Sequence, residues 1–134
     1  MSAESVAVVA QFTDGFSSGE LRWDLLDPEI YVIDHDIPDA GSYRGHAGVT
    51  KWLDEDWGSA WESYDVEPEE LFDAGEVVLS VFTITARGKG SGIETRRRNA
   101  TVNTVENGLV TRIEYYTTEQ EARAAAGLSA HAEP

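Results

Sequence analysis

The sequence predicts an α+β domain, with helices first and an antiparallel sheet after them. Three observations carry this. Apolar residues recur at helical spacing in two stretches before about residue 57. From about Tyr64 onward, runs rich in β-branched residues replace that pattern. Gly88-Lys89-Gly90-Ser91-Gly92 and Asn107-Gly108 punctuate those runs at hairpin spacing. Helices kept apart from an antiparallel sheet define the class.

Each element has its own signal. Val6, Val9, Ala10, Thr13 and Phe16 form one stripe of a helix over about Ser5 to Phe16, which Ser18-Gly19 ends. A short second helix is expected over Glu20 to Leu26, stopped by Asp27-Pro28, because the residue before a proline is pushed out of helical geometry. Ile30 to Ile33 reads as a short edge strand, and Asp36 to Gly45 as a loop. A third helix, His46 to Trp57, carries Val49, Trp52, Leu53 and Trp57 on its apolar side. Tyr64–Phe72, Val77–Arg87, Ile93–Val105 and Leu109–Thr117 then form a four-strand meander. The last hairpin turns at Asn107-Gly108, since both central positions of that turn need positive φ. Thr118-Glu119-Gln120-Glu121 is a capping box that starts a short helix ending near Gly127.

The chain has 134 residues, enough to bury a core without staples. The expectation is one domain over 1–134, with 128–134 frayed. With no cysteine, disulfides and thiolate chemistry are excluded. No metal site or cofactor is expected, because one histidine among scattered acids lacks ligand spacing. Net charge is -15, which argues against nucleic acid as a partner. The charge is uneven: residues 1–76 carry -16 and residues 77–134 carry +1. The first reading of that asymmetry is a solvated acidic surface. No apolar run suits a membrane span, and the N-terminus lacks signal-peptide character. A cytoplasmic location without a membrane partner is therefore expected.

Leu25-Leu26-Asp27-Pro28, Tyr43-Arg44-Gly45, Asp73-Ala74-Gly75-Glu76-Val77-Val78 and the closing stretch Val105 to Tyr116 with Ala126-Gly127-Leu128 stand in a known order. Over roughly residues 5–128 the chain resembles the SnoaL-like branch of the nuclear-transport-factor-2-like superfamily. That resemblance implies a cone: N-terminal helices packed in a strongly curved antiparallel sheet around an apolar pocket, with a short C-terminal helix. It also implies a homodimer and a small hydrophobic molecule as partner. Family activities range over polyketide cyclases, ketosteroid isomerases, epoxide hydrolases and proteins that only bind, so the fold does not choose among them.

Strand alternation, aligned with the epoxide-hydrolase branch, implies an inward set of Ser80, Phe82, Ile84, Arg97, Asn99, Thr101, Ile113 and Tyr115, with Asn103 as a further candidate. Phe82, Ile84 and Tyr115 stand where that branch carries its catalytic Arg and Asp residues, so epoxide hydrolysis is not expected. Trp52 and Trp57 are candidates to line the cone mouth. Asp34-His35-Asp36 is the densest polar group near the pocket; alternation turns inward either His35 or the two aspartates, and Asp34 or His35 is the expected base. The resemblance implies an isomerase or cyclase acting on a carbonyl compound, with Tyr115 and Arg97 as oxyanion donors. The alternative is a pocket that binds without turnover. His46 and His131 read as surface residues. The expected dimer contact is the sheet's outer face: Val81, Thr83, Arg96, Arg98, Val102, Thr104 and Glu114.

Overall fold

The computed structural model describes residues 2–18, 20–36, 41–56, 58–75 and 77–128. Helix α1 spans Ser2–Ser18. Strand β1 (Leu26–Asp34) and strand β2 (Ser42–Arg44) precede helix α2 (Gly45–Lys51). Strands β3 (Trp61–Asp73), β4 (Val77–Gly88), β5 (Glu94–Glu106) and β6 (Leu109–Tyr116) lead to helix α3 (Glu119–Ala125). One six-stranded sheet runs in the order β2-β1-β6-β5-β4-β3. The mixed α+β architecture, with an N-terminal helix, a curved sheet and a short C-terminal helix, is the one expected.

The meander forms as read. Asn107 and Gly108 both adopt positive φ, 54° and 79°, the geometry that a two-residue hairpin turn selects. Thr118 caps α3 by accepting the Glu121 backbone N–H at 3.1 Å, and Leu128 N–H closes its far end on Arg123 O at 2.9 Å.

The early chain departs from expectation in three places. No second helix covers Glu20 to Leu26; only a 3-10 turn, Trp23–Leu25, is present, and β1 already starts at Leu26. Pro28 sits where the β1–β6 register shifts, between Leu26 and Tyr31, so its missing N–H falls at an irregularity. Strand β1 is no edge. It pairs in parallel with β6 and antiparallel with β2. The loop expected over Asp36 to Gly45 contains β2, which is the true edge. The third helix stops being α-helical at Lys51 and continues as a π turn, Trp52–Asp56. Gly58 follows because a Cβ there would lie 1.8 Å from the Leu53 carbonyl oxygen. Trp57 lies outside the described residues.

Two apolar cores flank the sheet. On the concave side Phe12, Ile30, Val32, Trp52, Val66, Phe82, Ile84 and Ile113 pack together. On the convex side Leu79, Val81, Ala100 and Val102 pack under Ala122 of α3, with Phe72 and Leu128 beside them. Val81 and Val102 were expected to be covered by a second subunit. They are buried within one chain, because α3 folds back over β4 and β5. The polar members of that face are also engaged. Thr83 donates to Glu69, and Arg98 pairs with Glu69, Glu70 and Glu119. His46 is not a free surface residue: its Nε2 lies 3.0 Å from Leu26 O and its ring 5.1 Å from that of Trp23. His131 lies outside the described residues. No helix among them is long and apolar enough to cross a membrane.

Candidate active site

Alternation along β1 separates the Asp34-His35-Asp36 group. Ile30, Val32 and Asp34 share the concave face, and Asp34 is 1% exposed. His35 points the other way. Its ring stacks on Tyr116 at 4.4 Å, and its Nε2 meets Glu114 Oε1 at 3.0 Å. Glu114 also accepts from Tyr116 at 3.0 Å and from Arg112 at 3.2 Å. Burial alone would raise the Glu114 pKa, but these three partners together hold it below its ordinary value. His35 is therefore part of an outer-face network, and of the two expected bases only Asp34 faces the interior.

Asp34 is fixed by two donors. The Trp52 indole Nε1–H donates to its Oδ2 at 2.7 Å, and the Asp36 backbone N–H to its Oδ1 at 2.8 Å. Burial pushes its carboxyl above the ordinary value, while the two hydrogen bonds partly offset that rise. An ionised carboxylate offers about four acceptor positions, so two donors hold its orientation without saturating it. The π turn places Trp52, and Asp56 fastens that turn. Tyr43 of β2 donates to Asp56 Oδ2 at 2.7 Å, and Lys51 does so at 2.9 Å. Burial and this acceptor push the Tyr43 phenol well above its ordinary pKa.

Tyr115 lies beside Asp34 in the β1–β6 register. Its hydroxyl is 2.6 Å from Asn99 Oδ1. Asn99 Nδ2 is tied to Thr117 O at 2.9 Å, which fixes the amide so that its oxygen can only accept. The Tyr115 proton is thus directed at Asn99. The expected oxyanion donor already has a partner, and it would have to release that partner to serve a ligand.

Three cavities lie in sequence through the concave core. The central chamber, about 40 Å³, is walled by Phe12, Thr13 and Phe16 of α1, by Trp52 and Leu53, and by Ser80, Phe82, Ile84, Thr101, Ile113 and Tyr115 of the sheet. Phe16, Leu53 and Val66 also border an open groove of about 480 Å³. Ile84 and Tyr115 also border a niche of about 10 Å³, together with Trp61, Arg97 and Asn99. The chamber alone is far below the 300–1,000 Å³ of ordinary ligand pockets. A ligand larger than a few atoms therefore exceeds the chamber, which shares Phe16, Leu53 and Val66 with the groove.

Phe82, Ile84, Thr101, Ile113 and Tyr115 thus meet at the chamber, and Arg97 and Asn99 at the niche. Arg97 Nη2 pairs with Asp36 Oδ2 at 3.2 Å, whereas Arg98 turns outward to the acids of β3 and α3. Phe12 was missed as a wall residue, although it stands three residues after Val9 and four before Phe16. Trp61, which borders the niche, is likewise not among the expected inward residues. No group of three His, Cys, Asp or Glu side chains among the described residues could hold a metal ion.

Comparison with known proteins agrees with this architecture. A family model for the SnoaL-like domain matches residues 7–113. An NTF2-like protein from Burkholderia thailandensis superposes with a TM-score of 0.75 at 22% identity, covering 93% of this chain and 98% of the other. A candidate SnoaL-like polyketide cyclase from Jannaschia sp. CCS1 gives 0.71 at 18% identity, covering 98% and 94%. A protein with a ketosteroid isomerase-like fold from Catenulispora acidiphila, in complex with trimethylamine, gives 0.67 at 18%, covering 95% and 97%. No curated protein matches. The match to the family model spans most of the chain and the neighbours share its fold over nearly their whole length: this chain belongs to the SnoaL-like domain family.

Proposed function

We propose that this protein is an acid/base isomerase or cyclase acting on a small, largely apolar carbonyl compound, with Asp34 as the base. One observation carries the reading. A carboxyl group 1% exposed, with its pKa raised by burial, accepts a hydrogen bond from Trp52, and its residue pairs in register with Tyr115, two of the residues that wall the apolar chamber. Burying a carboxylate is expensive, and a perturbed carboxyl beside a cavity is a candidate for proton transfer. In this reading Asp34 takes a proton from the carbon next to the carbonyl. The electron pair moves onto the carbonyl oxygen to give an enolate, and the proton returns at the same or a conjugated carbon. Phe82, Ile84 and Ile113 keep water away and hold the ring system.

A second reading, binding without turnover, is favoured by one different observation: both Asp34 oxygens already accept a hydrogen bond. A deuterium-exchange experiment separates the two. With 1-indanone in D₂O, exchange at the carbon next to the carbonyl should run faster with protein than in buffer alone, and Asp34→Asn should remove the acceleration. If the ketone binds and exchange stays at the buffer rate, the binding reading takes first place.

The reading includes a homodimer. The cover of α3 over Val81 and Val102 favours a contact on the outer side of β1 and β6 instead, where Arg44 and Arg112 flank the Tyr31 ring at 5.0 and 5.5 Å. Light scattering that gives a monomer mass at micromolar concentration removes this part.

A further inference from the structure

The concave core contains a buried donor with nothing to donate to. Trp61 Nε1 is shielded from solvent and has no hydrogen-bond partner among the described residues. Such groups are rare, because leaving a buried N–H unsatisfied costs about 1–3 kcal/mol. Trp61 lines the niche next to the chamber, with Arg97, Asn99 and Tyr115. The niche, about 10 Å³, is of the order of the space one water-sized atom occupies.

The polar atoms around the niche are not equivalent. An indole nitrogen only donates. Arg97 spends one of its N–H groups on Asp36 and carries others, since a guanidinium has five and cannot accept. Asn99 has both ends of its amide occupied, by Tyr115 and by Thr117 O. Thr95, Ile84 and Ala86 complete the wall, and the Thr95 hydroxyl donates to Ala86 O at 3.5 Å. The unspent hydrogen-bonding capacity identified at Trp61 and Arg97 is donor capacity. It matches a ligand oxygen that accepts, and a carbonyl in particular.

We infer that the niche is an oxygen subsite, in which Trp61 Nε1–H and the Arg97 guanidinium receive the carbonyl oxygen of a ligand whose apolar body fills the chamber. This rests on the reading of Asp34 as the base and assigns the oxygen end of the same site. It also relieves the difficulty at Tyr115, whose proton is already directed at Asn99. Trp61 and Arg97 then hold the oxygen that becomes negative, and the Asp36 carboxylate beside Arg97 keeps the pair near neutral in the absence of ligand. Tyr115 pairs with Asp34 in the β1–β6 register and also borders the niche, so one residue connects the base to the oxygen subsite.

The test uses the whole chain and two probes of the same shape, 1-indanone and its hydrocarbon indane. The indole N–H signal of Trp61 is assigned by its absence from the spectrum of Trp61→Phe. In the wild-type protein 1-indanone should move that signal downfield, as a new hydrogen bond does, and indane should not. Trp61→Phe should weaken 1-indanone binding about tenfold more than it weakens indane binding, the worth of one buried hydrogen bond. The inference is overturned if both probes move the signal alike, if 1-indanone does not move it up to its solubility limit, or if Trp61→Phe affects the two probes equally. A ketone-specific shift without accelerated deuterium exchange would sink the proposed reaction and leave the oxygen subsite standing.

Discussion

Trp52 and Asp34, eighteen residues apart in sequence, meet through a 2.7 Å hydrogen bond from the indole Nε1 to Oδ2. The bond joins the π turn to the end of β1, so the helical layer and the sheet are connected at the carboxyl group itself. Trp52 also sets its edge against Tyr115, with ring centroids 6.1 Å apart. One side chain thereby positions the Asp34 carboxyl and shapes the chamber wall.

Trp52→Phe should keep most of the packing and lose the donor. Hydrogen bonds to charged groups contribute about 1.5–3 kcal/mol, and urea denaturation should show a loss of that order near neutral pH. Since the indole lowers the Asp34 pKa, the variant's carboxyl should titrate at higher pH. Carbon-13 NMR of the Asp34 side chain reads this directly, and an unchanged titration would show that the bond carries little weight in solution.

Asp34→Asn fixes the sign of a pH effect. The Asp34 pKa is raised in the folded protein, so the protonated group's contribution to stability is fully present below the unfolded value of about 3.9. That contribution is lost as pH rises through the higher folded value. Wild type should therefore gain stability relative to Asp34→Asn as pH falls through the raised folded value toward the unfolded one of about 3.9. Exchange at the ketone should move oppositely, rising with pH over the same window because the base must be ionised. A stability difference flat across that range would mean that burial does not perturb Asp34.

The sequence made the meander legible because its signals are local. The turn at Asn107-Gly108 and the cap at Thr118 each depend on a few adjacent residues. Alternation also sorted Arg97 from Arg98, since β5 is regular where they stand. What stayed hidden depends on distant partners. β2 has three residues and no periodicity, yet its presence moves β1 from edge to interior. The choice between Asp34 and His35 required the extent of β1, which runs four residues ahead of Ile30. Trp61 carries no sequence mark that its nitrogen lacks an acceptor. Nor does composition reveal that α3 hides Val81 and Val102.

Tyr115→Phe should reveal how closely the wall is wired. Removing the hydroxyl leaves Asn99 Oδ1 without its 2.6 Å donor in a residue 1% exposed. The expected cost is about 1–3 kcal/mol. Asn99→Ala should cost a similar amount, and the double variant less than the two together, because each removes the same bond. Full additivity in urea denaturation would show that the two side chains do not interact. The effect on ketone exchange should be milder than that of Asp34→Asn, since Trp61 and Arg97 supply the oxygen contacts.

The C-terminal helix gives the last prediction, on stability and self-association. Ala122 is 0% exposed, as is Val81, and Val102 is 5% exposed, so the helix acts as a lid on the convex core rather than as an appendage. Its N-cap is Thr118, and Thr118→Ala should cost about 1 kcal/mol, the usual worth of such a cap. Ending the chain at Thr117 removes more. It uncovers Val81, Val102, Leu79 and Ala100 together and takes Glu119 from Arg98. A patch of adjacent apolar side chains on a sheet face seeks a partner. The shortened chain should unfold at lower urea concentration and show a larger mass by light scattering than the full chain at equal concentration. If it keeps both its stability and its mass, α3 does not cover the convex core in solution, and the outer face of β4 and β5 returns as the expected dimer contact.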